Sequence, residues 1–336
     1  MAWNDRLKAD ALPWLLKKDD PGPRYMAMRD VLGLPEDDPE LRRARKAAHT
    51  RGPIAAILAA MDPAGYWETP GPGYSPKYRS SVWSLVLLAQ LGARREEDKR
   101  LETAAKYILH HALTPGGQFT ASAAPSGTAD CLQGNLLWAL VEMGCTDDRL
   151  KSAAEWTARS VTGEGIAAAK DRSAEVRYYA AGKCGPTFAC GANNKLPCAW
   201  GGVKVMLALG TWPAPSTPLI KRALAHGAEF LLGPDPATAG YPTWGGPPSR
   251  NWWKFGFPVF YVTDLLQNVE ALAATGHARD PRMARAVDVL FEKQDEHGRW
   301  SLEYNYSGKT WVDFGPKHEP NKWVTIRALR TLKAVG

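Results

Sequence analysis

The sequence predicts an all-α protein, an α/α toroid in which a double-walled barrel of about six helix pairs takes residues 1–336 as a single domain. Three observations carry that prediction. Six apolar runs end at a glycine: Gly33, Gly92, Gly144, Gly210, Gly276 and Gly336. Glycine just past a helix takes the left-handed conformation in which the last carbonyls can be capped. A second, more amphipathic run precedes each apolar one. Strict apolar–polar alternation is scarce, and only Arg177-Tyr178-Tyr179 and residues 301–306 read as short strands.

Residues 1–50 supply N-terminal helices that complete or flank the barrel, at 7–17 and 24–32. An extra basic amphipathic helix follows at 41–49, and Gly52-Pro53 breaks it from the next. Inner helices are predicted at 82–91, 132–143, 199–209, 264–275 and 323–335. Several are apolar nearly all round, as helices buried on both sides are. Outer helices are predicted at 53–61, 101–111, 150–161, 218–232 and 283–294. The unit recurs at roughly 50–66 residues, longer than a plain solenoid repeat. The excess lies in the loops from outer to inner helix. Parallel inner helices then gather their N-termini and the long loops at one mouth. A helix N-terminus offers free N–H groups and partial positive charge, so that mouth is the expected place for chemistry on an anion.

Composition narrows the function. The chain is 45% hydrophobic and 23% charged with a net charge of +7, the balance of a globular protein with a mildly basic surface. No zinc-finger, RRM or helix-turn-helix pattern accompanies that charge, so no nucleic-acid partner is expected. No apolar run is long enough to span a membrane. The polar N-terminus and odd cysteine count point to a reducing cytoplasm, where clustered thiols are metal ligands or redox groups more often than disulfides. The 14 tryptophans, many near glycines or lysines in loops, suggest a lined cavity as well as a core.

The turn Gln294-Asp-Glu-His-Gly298-Arg-Trp300 matches the Gln-x-x-x-Gly-x-Trp repeat of squalene–hopene cyclases and their relatives. Upstream Arg285-Ala286 and Leu290 also match, with Val289 in place of the usual aromatic. Degenerate copies recur at Gly65-Tyr66-Trp67, at Gly117-Gln118-Phe119 and at His226-Gly227 with Phe230-Leu231. From Gly52 to Gly336 the chain resembles the terpenoid cyclase and protein prenyltransferase α/α toroid superfamily. The resemblance implies fold and cavity, not a known reaction. The Asp-x-Asp-Asp acid motif of the cyclases is absent: Asp19-Asp20-Pro21 and Glu36-Asp37-Asp38 are loop or cap charge runs. The prenyltransferases hold zinc through an Asp-x-Cys pair and a distant His. Here Asp130-Cys131 is adjacent, so those roles are not carried over.

The thiols are the leading candidates for chemistry. Cys131 precedes one inner helix and Cys198 the next, while Cys184 and Cys190 hang on the loop entering that same helix. Neighbouring inner helices would bring all four to one rim. Four thiolates suit a closed tetrahedral zinc, and three plus water suit a catalytic one. The same cysteines read alternatively as small buried hydrophobes or as redox or nucleophilic thiols. Asp130 reads first as a helix cap, and otherwise as a fourth ligand or a partner of one. Asp264 and His318 are the candidate proton-transfer residues, with capping and a solvated loop position as their plainer readings. Basic and aromatic residues interleave at Lys77-Tyr78-Arg79, Arg177-Tyr178, Trp252-Trp253-Lys254 and Trp323. They would hold a small molecule with an anionic group and an apolar or ring portion, unless the aromatics instead plug the barrel and the cations point outward. The leading expectation is a zinc-dependent enzyme acting on its substrate in a central cavity of the toroid. A non-catalytic ligand-binding toroid with structural zinc is one alternative. A carbohydrate-active barrel using Asp264 and Glu303 is another.

Overall fold

A computed structural model describes residues 3–165 and 184–336. The helices in chain order are α1 (Leu12–Leu15), α2 (Pro21–Met26), α3 (Pro39–Thr50), α4 (Pro53–Ala59), α5 (Ser81–Gln90), α6 (Lys99–His111), α7 (Asp130–Glu142), α8 (Arg149–Thr162), α9 (Ala199–Gly210), α10 (Pro218–Leu232), α11 (Leu265–Leu272), α12 (Ala284–Glu292) and α13 (Lys322–Val335). Wider π-type turns extend α2 through Leu32 and α11 through His277. The expected helix at 7–17 shortens to α1, because Pro13 and the polar segment before it leave only one apolar turn to bury. Residues 301–306 make isolated bridges, Ser301 with Pro320 and Gly256 with Tyr304, and no strand. Arg177, Tyr178 and Tyr179 lie outside the described residues.

Packing closes a ring. Helix α5 lies against α7, α7 against α9, α9 against α11, α11 against α13, and α13 against α2 with its extension. The circle is completed where Gly92, after α5, sits on Met26 and Tyr25 of α2. These six helices form the inner wall. Helices α4, α6, α8, α10 and α12 cover them from outside, and α3 packs on α2 and α4. Every residue of α5 is buried, as its all-round apolar sequence requires. Gly33, Gly92, Gly144 and Gly276 have φ of +70°, +77°, +85° and +86°, the left-handed ends expected of them. Gly210 differs. It closes α9 in helical conformation, and a Cβ there would meet Ala274 carbonyl carbon at 2.9 Å, so close packing rather than capping demands glycine.

The middle of the ring is filled rather than open. Residues 255–263, leading into α11, thread through it. Gln90 on α5 holds this segment with a pair of hydrogen bonds: its Nε2 donates to Val259 O and its Oε1 accepts from Val259 N, both at 2.8 Å. Arg327 on α13 donates to Gly256 O at 2.6 Å. Phe257 stacks on Trp323 with ring centres 5.1 Å apart, and Phe260 packs among Trp83, Tyr78 and Tyr306. Burying that much aromatic area favours a closed lumen over a wet one.

Candidate functional site

Glycine decides where the thiols meet. Helices α7 and α9 approach most closely of all, because Gly134 sits on the backbone of Lys204 and Gly201 on Asp130. A Cβ at Gly201 would stand 2.9 Å from Asp130 Cβ. The N-terminus of α7, with Asp130 and Cys131, is thereby pressed against the N-terminus of α9, with Cys198 at its cap position.

The loop before α9 folds back on itself. Cys190 N donates to Leu196 O at 3.1 Å and Cys198 N to Phe188 O at 2.9 Å, beside an antiparallel bridge of Ala189 with Pro197. Phe188, fully buried against Phe230 of α10, anchors the loop. This turn brings the Cys190 and Cys198 side chains into hydrogen-bond contact. Cys184 lies 3.6 Å from Thr128 Oγ1 and beside the Asp130 carboxyl. Cys131 is half-buried and acts electrostatically on both Cys184 and Cys198. The four predicted cysteines and Asp130 are therefore neighbours, drawn from two regions of the chain.

Asp130 is not a cap. The cap position belongs to Ala129, and the Asp130 carboxyl turns into the protein, 2% exposed. Oδ1 accepts from Ser160 Oγ of α8 at 3.4 Å, while Oδ2 is buried without a hydrogen-bond partner among the described residues. The Cys184 thiol is close enough to perturb the carboxyl without giving Oδ2 a well-formed hydrogen bond. Burial pushes the Asp130 carboxyl well above its ordinary pKa, Cys190 adds to the rise, and the Cys184 thiol, the Ser160 hydroxyl and the Gly185 backbone N–H oppose it. Burial likewise pushes Cys184 up, with Asp130 adding to it. Cys198 is raised first by its hydrogen bond with Cys190 and then by burial. Asp130, Cys184 and Cys198 are thus held toward their protonated forms.

Two soft sulfur pairs and one carboxyl oxygen are chemically apt for zinc, and the unsatisfied Oδ2 is an acceptor that a cation would satisfy. Cys184 lies against Asp130 and Cys190 against Cys198, while Cys190 also acts on Asp130 and Cys131 on Cys184 and Cys198. Among the described residues no group of three or more His, Cys, Asp or Glu side chains converges as a metal site.

A cleft of about 320 Å³ opens beside the cluster, with Cys190 and Cys198 in its wall. Trp200, Tyr241 and Trp252 give it aromatic faces, and Pro242, Pro247 and Pro248 close its far side. Asn193 ties the two walls together: its Nδ2 donates to Pro197 O at 2.9 Å and to Pro242 O at 3.0 Å, and its Oδ1 accepts from Trp244 N at 2.9 Å. Among the described residues no lysine or arginine lines this cleft.

The remaining sequence-predicted residues sit elsewhere. Tyr78 packs on Phe260, Tyr261 and Tyr306, and Lys77 Nζ lies 4.5 Å from the Tyr261 ring centre. Arg79 stacks on Trp311 at 4.9 Å. Trp253 Nε1 donates to Ala237 O at 2.7 Å, and Lys254 next to it is exposed. With Trp323 on Phe257, these aromatics plug the barrel rather than line a hole. Trp252 alone of the described set reaches the cleft. Asp264 caps α11 through Gln267 N at 2.8 Å and forms a buried two-bond ion pair with Arg327, both at 2.9 Å. Burial works against its charge, but Arg327 outweighs burial and holds its pKa below the ordinary value. Neither oxygen is free for proton transfer. His318 is exposed on the loop before α13 and is not a partner of Asp264. Glu303 is engaged by Lys293 at 2.7 Å and by Phe255 N at 2.8 Å, so the paired-carboxylate reading for sugars loses both members.

Lys204 escaped the sequence reading of the site. It is a single cation in the apolar run of α9, fully buried, donating to Gln267 Oε1. Burial lowers its pKa to about 7. A lysine inside an otherwise apolar inner helix was the available signal.

No family model and no curated protein matches the chain. Solved structures similar to it include the type II terpene cyclase MstE from Scytonema, at 13% identity over 87% of this chain and 97% of that one, with a TM-score of 0.31. A protein from Actinoplanes is similar at 13% identity over 87% and 99%, TM-score 0.33. A variant of the same cyclase in complex with geranylgeranyl dihydroxybenzoate is similar at 12% identity over 87% and 97%, TM-score 0.33. Likeness at that level assigns this chain no substrate and no reaction; the toroid stands on its own closed ring of helix pairs.

Proposed function

We propose that the chain is an enzyme whose reacting centre is the Asp130–thiol cluster and whose substrate is an apolar or aromatic small molecule held in the adjoining cleft. The observation that supports it is a buried, unpartnered carboxyl oxygen among sulfurs, two of which also wall an aromatic cleft. Buried polar groups without partners are rare, and functional sites are where they are tolerated. The uncharged lining of the cleft favours the apolar part of the expected ligand over its anionic part.

Zinc is the cofactor this reading assigns, held by a subset of Cys131, Cys184, Cys190 and Cys198 with Asp130. When bound, it supplies the positive charge that keeps thiols deprotonated and draws electrons from a substrate oxygen or sulfur. The protein's own part is to desolvate the sulfurs, to hold their protons until metal or substrate displaces them, and to orient the substrate on Trp200 and Trp252. Metal analysis of the purified full chain tests this. About one zinc per chain is expected, falling severalfold in Cys190→Ser, since each ligand of a thiolate site carries a large share of the affinity. Zinc content unchanged by that substitution removes Cys190 from the site.

The contact between Cys190 and Cys198 favours a second reading, in which these two act as a metal-free thiol pair. Wild-type protein without zinc, but with one of these thiols alkylated preferentially by iodoacetamide, selects that reading.

A further inference from the structure

Helix α3 lies outside the alternation of outer and inner helices, packed on α2 and α4. Its sequence has two faces. Leu41, Ala44 and Ala48 are buried, and Arg45 turns inward to Glu36 at 2.6 Å and Glu97 at 2.7 Å. Arg42, Arg43 and Lys46 are exposed on the other side, with Arg51 exposed just past the helix end. One apolar stripe is enough to hold such a helix to the fold. It does not explain why the outer face is basic.

The other outer helices give each arginine an acid. Arg100 pairs with Asp98 at 2.7 Å, Arg149 with Asp147 at 2.9 Å and Arg159 with Glu155 at 3.1 Å. Arg222 pairs with Glu164 at 2.6 Å and Arg285 with Asp235 at 3.0 Å. Around α3, by contrast, Arg42, Lys46, Arg51 and Lys18 have no acidic partner among the described residues. Lys18, Arg24, Arg43 and Arg51 together line a groove of about 260 Å³ between α2 and α3. Among the described residues its one acid is Glu40, whose Oε2 accepts from Arg24 Nη2 at 3.0 Å and whose Oε1 accepts from Arg43. Arg43 and then Arg24 hold that carboxyl below its ordinary pKa. No aromatic or large aliphatic side chain lines the groove among the described residues.

We propose that the groove between α2 and α3 is a docking surface for an acidic polypeptide segment, a run of Asp or Glu on a partner protein. Glu40 marks how a carboxylate sits between Arg24 and Arg43, and an incoming one takes the same donors. Lys18 and Arg51, exposed on the same groove, meet the carboxylates that follow it. Single-stranded nucleic acid would call for aromatic faces on which bases stack, and a lipid surface for apolar side chains to insert. The groove has neither. It shares no lining residue with the cleft beside the thiols, so this partner is additional to any substrate held there.

Binding of fluorescein-labelled oligoglutamate to the full chain, read by fluorescence anisotropy, tests the proposal. Oligoglutamine of the same length, a single-stranded RNA and phosphatidylserine vesicles are the comparison probes. Oligoglutamate should bind saturably, more tightly than the other three, and more weakly as salt is raised. Lys18→Gln combined with Arg51→Gln should weaken binding by about fivefold, the loss expected of two exposed ion pairs. Lys99→Gln combined with Lys221→Gln removes the same charge from α6 and α10 and should change binding by less than about twofold. Glu40→Gln, which frees Arg24 and Arg43 from their internal carboxylate, should strengthen binding by about threefold. All five side chains are exposed, so every variant should keep wild-type helical content by circular dichroism. Absence of saturable oligoglutamate binding overturns the proposal. So does an equal loss in the two double variants, which would make binding a matter of net charge alone. Tighter binding of RNA, vesicles or oligoglutamine overturns it too, as does binding that Glu40→Gln fails to strengthen.

Discussion

Asp130 and Asp264 stand at equivalent places, each at the N-terminal end of an inner helix and each buried, at 2% and 3% exposure. Asp264 has four hydrogen bonds, two of them from Arg327, and its pKa lies below the ordinary value. Asp130 has one long hydrogen bond, sulfur neighbours and an orphaned oxygen, and its pKa lies well above. The same residue type at the start of an inner helix is ion-paired in one case and held toward its protonated form in the other. What separates them among the described residues is the Arg327 guanidinium, which pairs with Asp264, while the Asp130 carboxyl lies beside thiols.

The largest expected effect breaks the staple. Arg327→Met leaves Asp264 charged, buried and alone, and should cost about 3–5 kcal/mol of stability in urea denaturation. Adding Asp264→Leu should return most of that loss, since an apolar pair tolerates the same site. A loss below about 1 kcal/mol for the single change would mean that the ion pair is solvated like a surface one. Asp130→Asn should stay within about 1 kcal/mol of wild type near pH 4, where the carboxyl it replaces is protonated in the folded and the unfolded chain.

The two carboxyls should also respond to pH with opposite sign. The depressed Asp264 adds stability that is present above the ordinary carboxyl pKa of about 3.9 and is lost as pH falls through its lower folded value. Asp130 is raised, so the folded state holds a proton the unfolded chain has released. Its contribution therefore turns unfavourable as pH rises from about 4 toward its folded value. Wild type and Asp130→Asn should converge in stability near pH 4 and separate above it, with the variant the more stable. Parallel curves would show that Asp130 titrates normally, and the contrast between the two sites would collapse.

How much of this was readable from the chain depends on range. Trp67 donates its indole N–H to Ile57 O and Trp300 to Leu290 O, both at 2.8 Å and both ten residues back, with Gly65 and Gly298 left-handed just before them. Such turns are local, so these two turns and the helix ends were legible. The meeting of Cys131 with the loop from Cys184 to Cys198 was legible too, because neighbouring inner helices must touch. The roles of Asp130 and Asp264 were not: each precedes an apolar helix, and the deciding partner, Arg327, lies 63 residues beyond Asp264. The closed lumen was hidden for a similar reason. Phe257 and Phe260 have the composition of a binding wall, and only the long-range bonds from Gln90 and Arg327 turn their segment inward.

Lys204 sharpens the contrast with the smallest change. Of the charged groups acting on it, Asp264 is the strongest and Arg327 opposes it, so it belongs to the staple's side of the ring rather than to Asp130. Burial sets its pKa to about 7, whereas in the unfolded chain a lysine keeps its proton to about pH 10.4. Below about 7 both states are protonated and the fold bears the full penalty of a buried ammonium. Between about 7 and 10 the unfolded state holds the extra proton, so wild-type stability should rise with pH across that window. Lys204→Met lacks the slope. It should be the more stable protein at about pH 6, with the advantage shrinking toward about pH 9.5 as the native amine goes neutral. If the two denaturation midpoints keep a constant gap over that range, the ammonium is already satisfied inside the ring, and Gln267 with Asp264 must be holding it as a charge.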